Sequence, residues 1–343
     1  MRAVVFHEHG SVDKLTLVED HPHPILGSAD VLVRVKACAL NHLDIFTREG
    51  LPGLDLPLPH VPGSDMAGVV EEVGQQVEHY AVGDRVVVNP GISCGFCEFC
   101  LAGEDSLCKQ FKILGEHLPG GYAEFAKVPA TNLLKLPDHI SFEQAASGAL
   151  SLLTAYRMVI KRGRLRLGEK VGVIGAGGGV SVFAIQLAKL AGAKVFATTS
   201  TDQKAEQARS LGADVVLNYT EDPNWWKTLY YETGKRGLDV VVDSVGEATW
   251  DKSLRLLRKG GRLVTCGATT GPMGKTNINL IFWNQLEIIG STMASRSEFR
   301  EALQLVFDGK INIPVITYPL EKAREAQLLM EEGQQFGKIV LLV

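Results

Sequence analysis

The sequence predicts an α/β protein of two domains, a β-rich domain followed by a doubly wound parallel sheet. Three observations predict it. The chain has 343 residues, enough for two hydrophobic cores. Up to about residue 150, short apolar runs are punctuated by Gly and Pro, the texture of a β-rich segment. Beyond that point, apolar runs alternate with helical patterns, as in a parallel sheet with crossover helices.

In the first segment, Val31–Val35, Ala67–Val73 and Arg85–Val88 read as strands. The second segment opens with a strand at Lys170–Gly175 and an apolar-faced helix at Val180–Ala191. Strands follow at Lys194–Thr199, Asp214–Leu217, Leu238–Asp243, Arg262–Cys266 and Leu286–Ser291, with Asp202 placed to cap a helix that ends near Leu211. After residue 296 comes a helix, then the apolar run Ile339–Val343, a terminal strand able to return to the first domain. The expected division is residues 1–150 plus 297–343, with a cysteine lobe at 94–108, and residues 151–296.

Hydrophobic residues make up 45% of the chain, charged residues 22%, and the formal charge is −4. That balance is ordinary for a soluble enzyme acting on a small molecule and points to neither nucleic acid nor an anionic membrane as partner. No apolar stretch approaches the length needed to span a bilayer, and Met1–Phe6 runs into a strand-like pattern rather than a signal peptide. The expected location is the cytoplasm. Four of the six cysteines are Cys94, Cys97, Cys100 and Cys108. In a reducing compartment such clustering favours metal over disulfides, and a closed shell of four thiolates makes one Zn²⁺ per subunit structural. Cys38 and Cys266 stand alone and read as packing residues.

Gly175, Ala176, Gly177, Gly178, Gly179 and Val180 follow a strand and open a helix. Small residues there let the backbone approach a pyrophosphate, and the helix N-terminus offers free N–H groups to the anion. Ser181 stands where a third glycine is usual. At the tip of the second strand, NAD enzymes place an acid for the ribose 2′-OH. Here stand Thr199, Ser200 and Thr201, followed by Asp202 and Lys204. Hydroxyls with a lysine suit a 2′-phosphate, so NADPH is expected and NADH is the alternative.

Taken together, Ala39–Asp44, Pro62–Gly68, the four-cysteine lobe, the Gly175 loop, Asp243–Gly246 and Gly337–Val340 make the chain resemble the medium-chain dehydrogenase/reductase superfamily. The resemblance covers essentially the whole chain. It implies a GroES-like catalytic domain, a Rossmann domain for the dinucleotide, and a homodimer or homotetramer, with Leu286–Ile289 as the segment that pairs with a second copy. Alcohol dehydrogenases of that superfamily hold a catalytic zinc through Cys, His and Cys, with a Glu beside the His. Those positions fall here on Asn41, Ser64, near Leu150 within Ala149–Ser151, and Asp65, and the proton-relay positions fall on Leu43 and Phe46. The departure implies a reductase of quinones or α,β-unsaturated carbonyls, the zinc lobe being shared with reductases of acryloyl- or crotonyl-type thioesters. An alcohol dehydrogenase with a degenerate or rebuilt zinc site, drawn from Cys38, His60 and Asp65, is the alternative.

The resemblance assigns Asn41 to the substrate oxygen or nicotinamide ribose, Asp44 to orienting its neighbours, and Ser64 and Asp65 to proton transfer. His42 is matched to the pyrophosphate. Thr154, Thr199, Ser200, Lys204 and Tyr219 are further cofactor candidates, as are Ser244, Val245, Gly267, Ser291 and Met293. Lys338, in a Gly-Lys pair, is expected on the cofactor side. Phe46, Phe282 and Trp283 are candidates for an apolar lining or for the core.

Overall fold

The computed structural model describes residues 1–343. They divide into two compact units, Met1–Ser151 with Ala294–Val343, and Leu152–Met293. Against the sequence reading, the second boundary lies a few residues earlier, directly before the helix Arg296–Phe307.

The first unit is built on the strand Asp30–Ala39, whose middle residues Val33 to Ala37 alternate buried and exposed with the pleat, while both ends are buried on both faces. It is longer than Val31–Val35 and is shared by three neighbours. Phe125–Pro129 pairs with its first half, from Asp30↔Pro129 to Arg34↔Phe125. Lys338–Leu342 pairs with its last residues, as Val340↔Ala39. Asp65–Val73 runs beside its whole length and ends on Ala39↔Asp65. Counting two residues on from Val340↔Ala39 brings Lys338 opposite Asn41, one row beyond Asp65. Gly68 lies within the pairing with Asp30–Ala39, opposite Val35. A Cβ there would sit 2.1 Å from the Arg34 carbonyl oxygen. Buried Val, Leu, Ile and Phe side chains on one face of this sheet form the core.

Helix His42–Glu49 begins at Asn41, which serves as its N-cap residue. Asp44 fastens this start. Its Oδ2 accepts the Asn41 N–H at 2.8 Å and the Tyr122 hydroxyl at 3.3 Å, and its Oδ1 accepts the Gly63 N–H at 3.2 Å. Asp44 is fully buried. Burial pushes its carboxyl up to about 7, against the Asn41 N–H, which favours the ionised form.

The second unit is a six-stranded parallel sheet. Its order is Val215–Asn218, Lys194–Thr199, Lys170–Val173, Leu238–Asp243, Leu257–Thr265, Glu287–Gly290. In sequence order that is 3-2-1-4-5-6, the dinucleotide-binding arrangement, and the direction of winding reverses between Lys170–Val173 and Leu238–Asp243. The fifth strand starts earlier than Arg262, at Leu257. Helix Asp202–Ser210 is capped by Thr201, not Asp202: Thr201 Oγ1 accepts the Lys204 N–H at 3.2 Å. Thr201 already holds the extended backbone of an N-cap, whereas Asp202 has entered the helix.

Gly68→Ala is expected to destabilise the protein by roughly 3 kcal/mol through backbone overpacking, read as a lower urea midpoint at unchanged slope. For Asp44, the folded pKa near 7 lies above the unfolded value of about 3.9. Its contribution to stability is therefore complete below the unfolded value and is lost as pH rises through the folded one. Asp44→Asn should flatten the fall of the thermal midpoint between about pH 4 and 7, measured by calorimetry.

Candidate functional site

The strand register gathers one cluster at the end of the first unit's sheet. Lys338 is 2% exposed and Asp65 0%. The Lys338 Nζ donates to Leu40 O at 2.7 Å, Asn41 Oδ1 at 2.7 Å, Asp65 Oδ2 at 3.0 Å and Ser151 Oγ at 3.1 Å. Asn41 Nδ2 donates to the same Asp65 Oδ2 at 3.0 Å, and Ser151 Oγ donates to Asn41 Oδ1 at 2.9 Å. An amide oxygen accepting from an ammonium, with the amide nitrogen on a carboxylate, admits only one orientation of the Asn41 side chain. Burial raises the Asp65 carboxyl, opposed by the Lys338 charge and the Asn41 amide. The Ser64 hydroxyl is buried and makes no hydrogen bond.

Lys338, expected on the cofactor side from its Gly-Lys pair, is held by its Nζ within this cluster. The pairing of Lys338–Leu342 with Asp30–Ala39 leaves its side chain no other direction. Ser151, named only as a neighbour of the expected ligand position, is a full member; it opens the helix Ser151–Tyr156, which follows directly on the helix Phe142–Gly148 that Ser141 caps.

This donor set does not fit a catalytic zinc. Zinc takes thiolate, imidazole and carboxylate. Residues 41, 64 and 151 offer an amide and two hydroxyls, and the space among 41, 65 and 151 holds a cationic Nζ that repels a second cation. Cys38, His60 and Asp65 do not converge as a substitute. His60 Nε2 is on Gly115 O at 3.1 Å with its ring against Phe6, Asp65 Oδ2 is taken by Lys338, and burial raises the Cys38 thiol well above its usual value, away from the thiolate.

The lobe fits zinc. The ligand atoms of Cys94, Cys97, Cys100 and Cys108 lie within 4.8 Å of one another, with Sγ–Sγ separations of 3.6 Å for Cys97–Cys100 and 3.9 Å for Cys94–Cys100. Four sulfurs at about 2.3 Å from one ion would be about 3.8 Å apart. The Cys94 and Gln110 N–H groups point at Cys108 Sγ, favouring its thiolate. Asp105 ties the lobe to the helix Arg296–Phe307, accepting from Arg296 N at 2.9 Å and Nη2 at 3.0 Å.

In the second unit, Gly175 and Gly177 take φ of +74° and +143°, which an L side chain rarely adopts. A Cβ on Gly178 would meet only the Gly175 carbonyl, at 4.0 Å. The turn is pinned by Ala176 N–H on Thr198 O at 2.6 Å and Thr199 Oγ1 on Ala176 O at 2.6 Å, and it opens onto the start of helix Gly179–Leu190. Ser181 Oγ, in the third-glycine position, donates to Ile174 O at 3.2 Å and so joins helix to strand. This cradle fits a pyrophosphate. Asp243, to which the sequence reading assigns no role, shapes the neighbouring turn: it accepts from Val245 N, Gly246 N, Thr249 Oγ1 and Ser253 Oγ. The hydroxyls of Thr154 and Ser291 are buried without partners, and Met293 is buried with φ +47°. Tyr219 is 41% exposed. His42 lies on the first unit, its imidazole pulled below the usual value by burial and by Lys338. Phe282 and Trp283 are neither core nor lining within their unit; both stand exposed on the helix Ile278–Asn284.

Residues 27–138 match the alcohol dehydrogenase GroES-like domain and residues 179–308 the zinc-binding dehydrogenase domain. The crystal structure of an NAD-dependent alcohol dehydrogenase superposes with a TM-score of 0.96 at 47% identity, over 100% of both chains. The chain is 33% identical to an acryloyl-coenzyme A reductase of Sulfurisphaera tokodaii over 94% of this chain and 95% of that one. It is also 33% identical to a quinone oxidoreductase of Homo sapiens, over 100% and 98%. With its four-cysteine lobe and its dinucleotide sheet, the chain belongs to the medium-chain dehydrogenase/reductase superfamily and is an NAD(P)-dependent oxidoreductase.

Proposed function

We propose that the protein reduces quinones or α,β-unsaturated carbonyl compounds with no metal at the reacting centre. The observation that carries this reading is the Lys338 Nζ lodged among Asn41, Asp65 and Ser151. Oxidation of a simple alcohol depends on a Lewis acid to stabilise the alkoxide. A conjugated carbonyl is polarised by its own structure, so the protein has only to position it, exclude water and bind the developing enolate oxygen. Bound NAD(P)H supplies the hydride. The substrate's β-carbon accepts it, the C=C electron pair moves toward the carbonyl oxygen, and a proton from water completes the α-carbon. Asn41 and Ser64 hold the oxygen. Zinc in the Cys94–Cys108 shell, having no open position, supplies stability only.

A second reading, alcohol–carbonyl interconversion with NAD, is favoured by the likeness to the NAD-dependent alcohol dehydrogenase. For the cofactor, NADPH is supported by the tip of the strand Lys194–Thr199. There Asp202 Oδ1 accepts from Asn218 Nδ2 at 3.1 Å, and the hydroxyl of Ser200 and the positive charge of Lys204 are the group types that suit a 2′-phosphate. A homodimer is the assembly we propose. Glu287–Gly290 is the sheet's edge strand, and Ile278, Phe282 and Trp283 beside it are exposed by more than half. Leu286 is buried in the unit's own core, so the pairing segment starts at Glu287. All six cysteines are unpaired, which suits the cytoplasm, and no helix is long and apolar enough to cross a membrane.

Elemental analysis should find zinc equal to the number of four-cysteine lobes, and a panel of quinones, enones and enoyl thioesters should be turned over while simple alcohols are not; twice that zinc, with alcohol oxidation, establishes the second reading. Lys204→Ala should raise KM for NADPH about tenfold and leave KM for NADH unchanged. Trp283→Glu should shift the sedimentation of the protein from dimer to monomer.

A further inference from the structure

The family's dehydrogenases hold a cation where this chain has residues 41, 64, 65 and 151, and here a cation is present as well, supplied by the chain itself. Lys338 Nζ meets four oxygens at 2.7–3.1 Å. It cannot bind a substrate oxygen as a metal does, because its three hydrogens are already shared among those acceptors and only 2% of the residue is exposed. Asn41 is the more exposed member, at 7%. Its Oδ1 is saturated by Lys338 and Ser151, and one Nδ2 hydrogen goes to Asp65. The second Nδ2 hydrogen remains to be given. An ammonium on the amide oxygen draws electron density from the amide nitrogen, and hydrogen bonds in such a chain polarise one another most where the dielectric is low.

We infer that Lys338 is a positioning residue that stands in for the catalytic metal: by clamping and polarising the Asn41 amide, it makes the free Nδ2–H the group that binds the oxygen of a conjugated carbonyl or quinone. Asn41 is then the catalytic residue, and Lys338 acts through it. The role in substrate binding rests on the reductase reading above; the polarisation of Asn41 does not.

The test uses the full chain with NADPH and cyclohexenone, comparing wild type, Lys338→Met and the double variant Lys338→Met/Asp65→Asn. The double variant removes both charges, so it keeps the test valid where the single variant, left with an uncompensated buried carboxylate, fails to fold. The double variant is expected to keep the wild-type Tm within a few degrees and to bind NADPH, by fluorescence, within about twofold, while kcat for the enone falls by about ten- to a hundredfold. In the same proteins without substrate, the Asn41 side-chain Nδ2–H proton resonance is expected to move upfield when Lys338 is removed. A folded double variant with wild-type kcat overturns the inference, and so does an unchanged Asn41 resonance. If wild type turns over alcohols but neither enones nor quinones, the reductase reading fails, and the Asn41 resonance still decides whether Lys338 polarises the amide.

Discussion

A single buried ammonium organises the first unit. Lys338 joins the strand Lys338–Leu342, the end of Asp30–Ala39, the start of Asp65–Val73 and Ser151, the first residue of the helix Ser151–Tyr156. Each of those segments brings a polar group that would be costly to bury alone. Together they satisfy one another, except for Asp65 Oδ1, part of the Asn41 amide and the neighbouring Ser64 hydroxyl.

The cluster follows from register. Val340↔Ala39 and Ala39↔Asp65 are consecutive steps across one sheet, and a slip of one residue in either would turn Lys338 or Asp65 to the opposite face. Gly68, opposite Val35 within the same pairing, guards this register too, since no side chain fits against the Arg34 carbonyl. The geometry of the site is thus a property of the backbone ladder before it is a property of any functional group.

Much of this is legible in the sequence. Alternating strand and helix patterns locate the parallel sheet, and Cys94, Cys97, Cys100 and Cys108 announce a metal lobe, because both signals lie within short stretches of chain. The glycine loop is legible for the same reason. The direction of Lys338 is not. Its partners include residues 187 and 298 positions away in sequence, and only the sheet register brings them together. A Gly-Lys pair in isolation gives the charge without its direction. Thr201 displaces Asp202 as a helix cap because both residue types cap well and the deciding difference of one residue is set by the turn. Phe282 and Trp283 are ambiguous because hydrophobicity alone does not say whether an aromatic residue faces its own core or lies uncovered.

The bond between Asp105 and Arg296 spans 191 residues of chain. It anchors the four-cysteine loop onto the first turn of a helix that Ser295 and Glu298 already cap. An ion held by the four thiols would therefore reach past them: by fixing the loop it would also fix Asp105, and through Asp105 a second, external hold on that helix start.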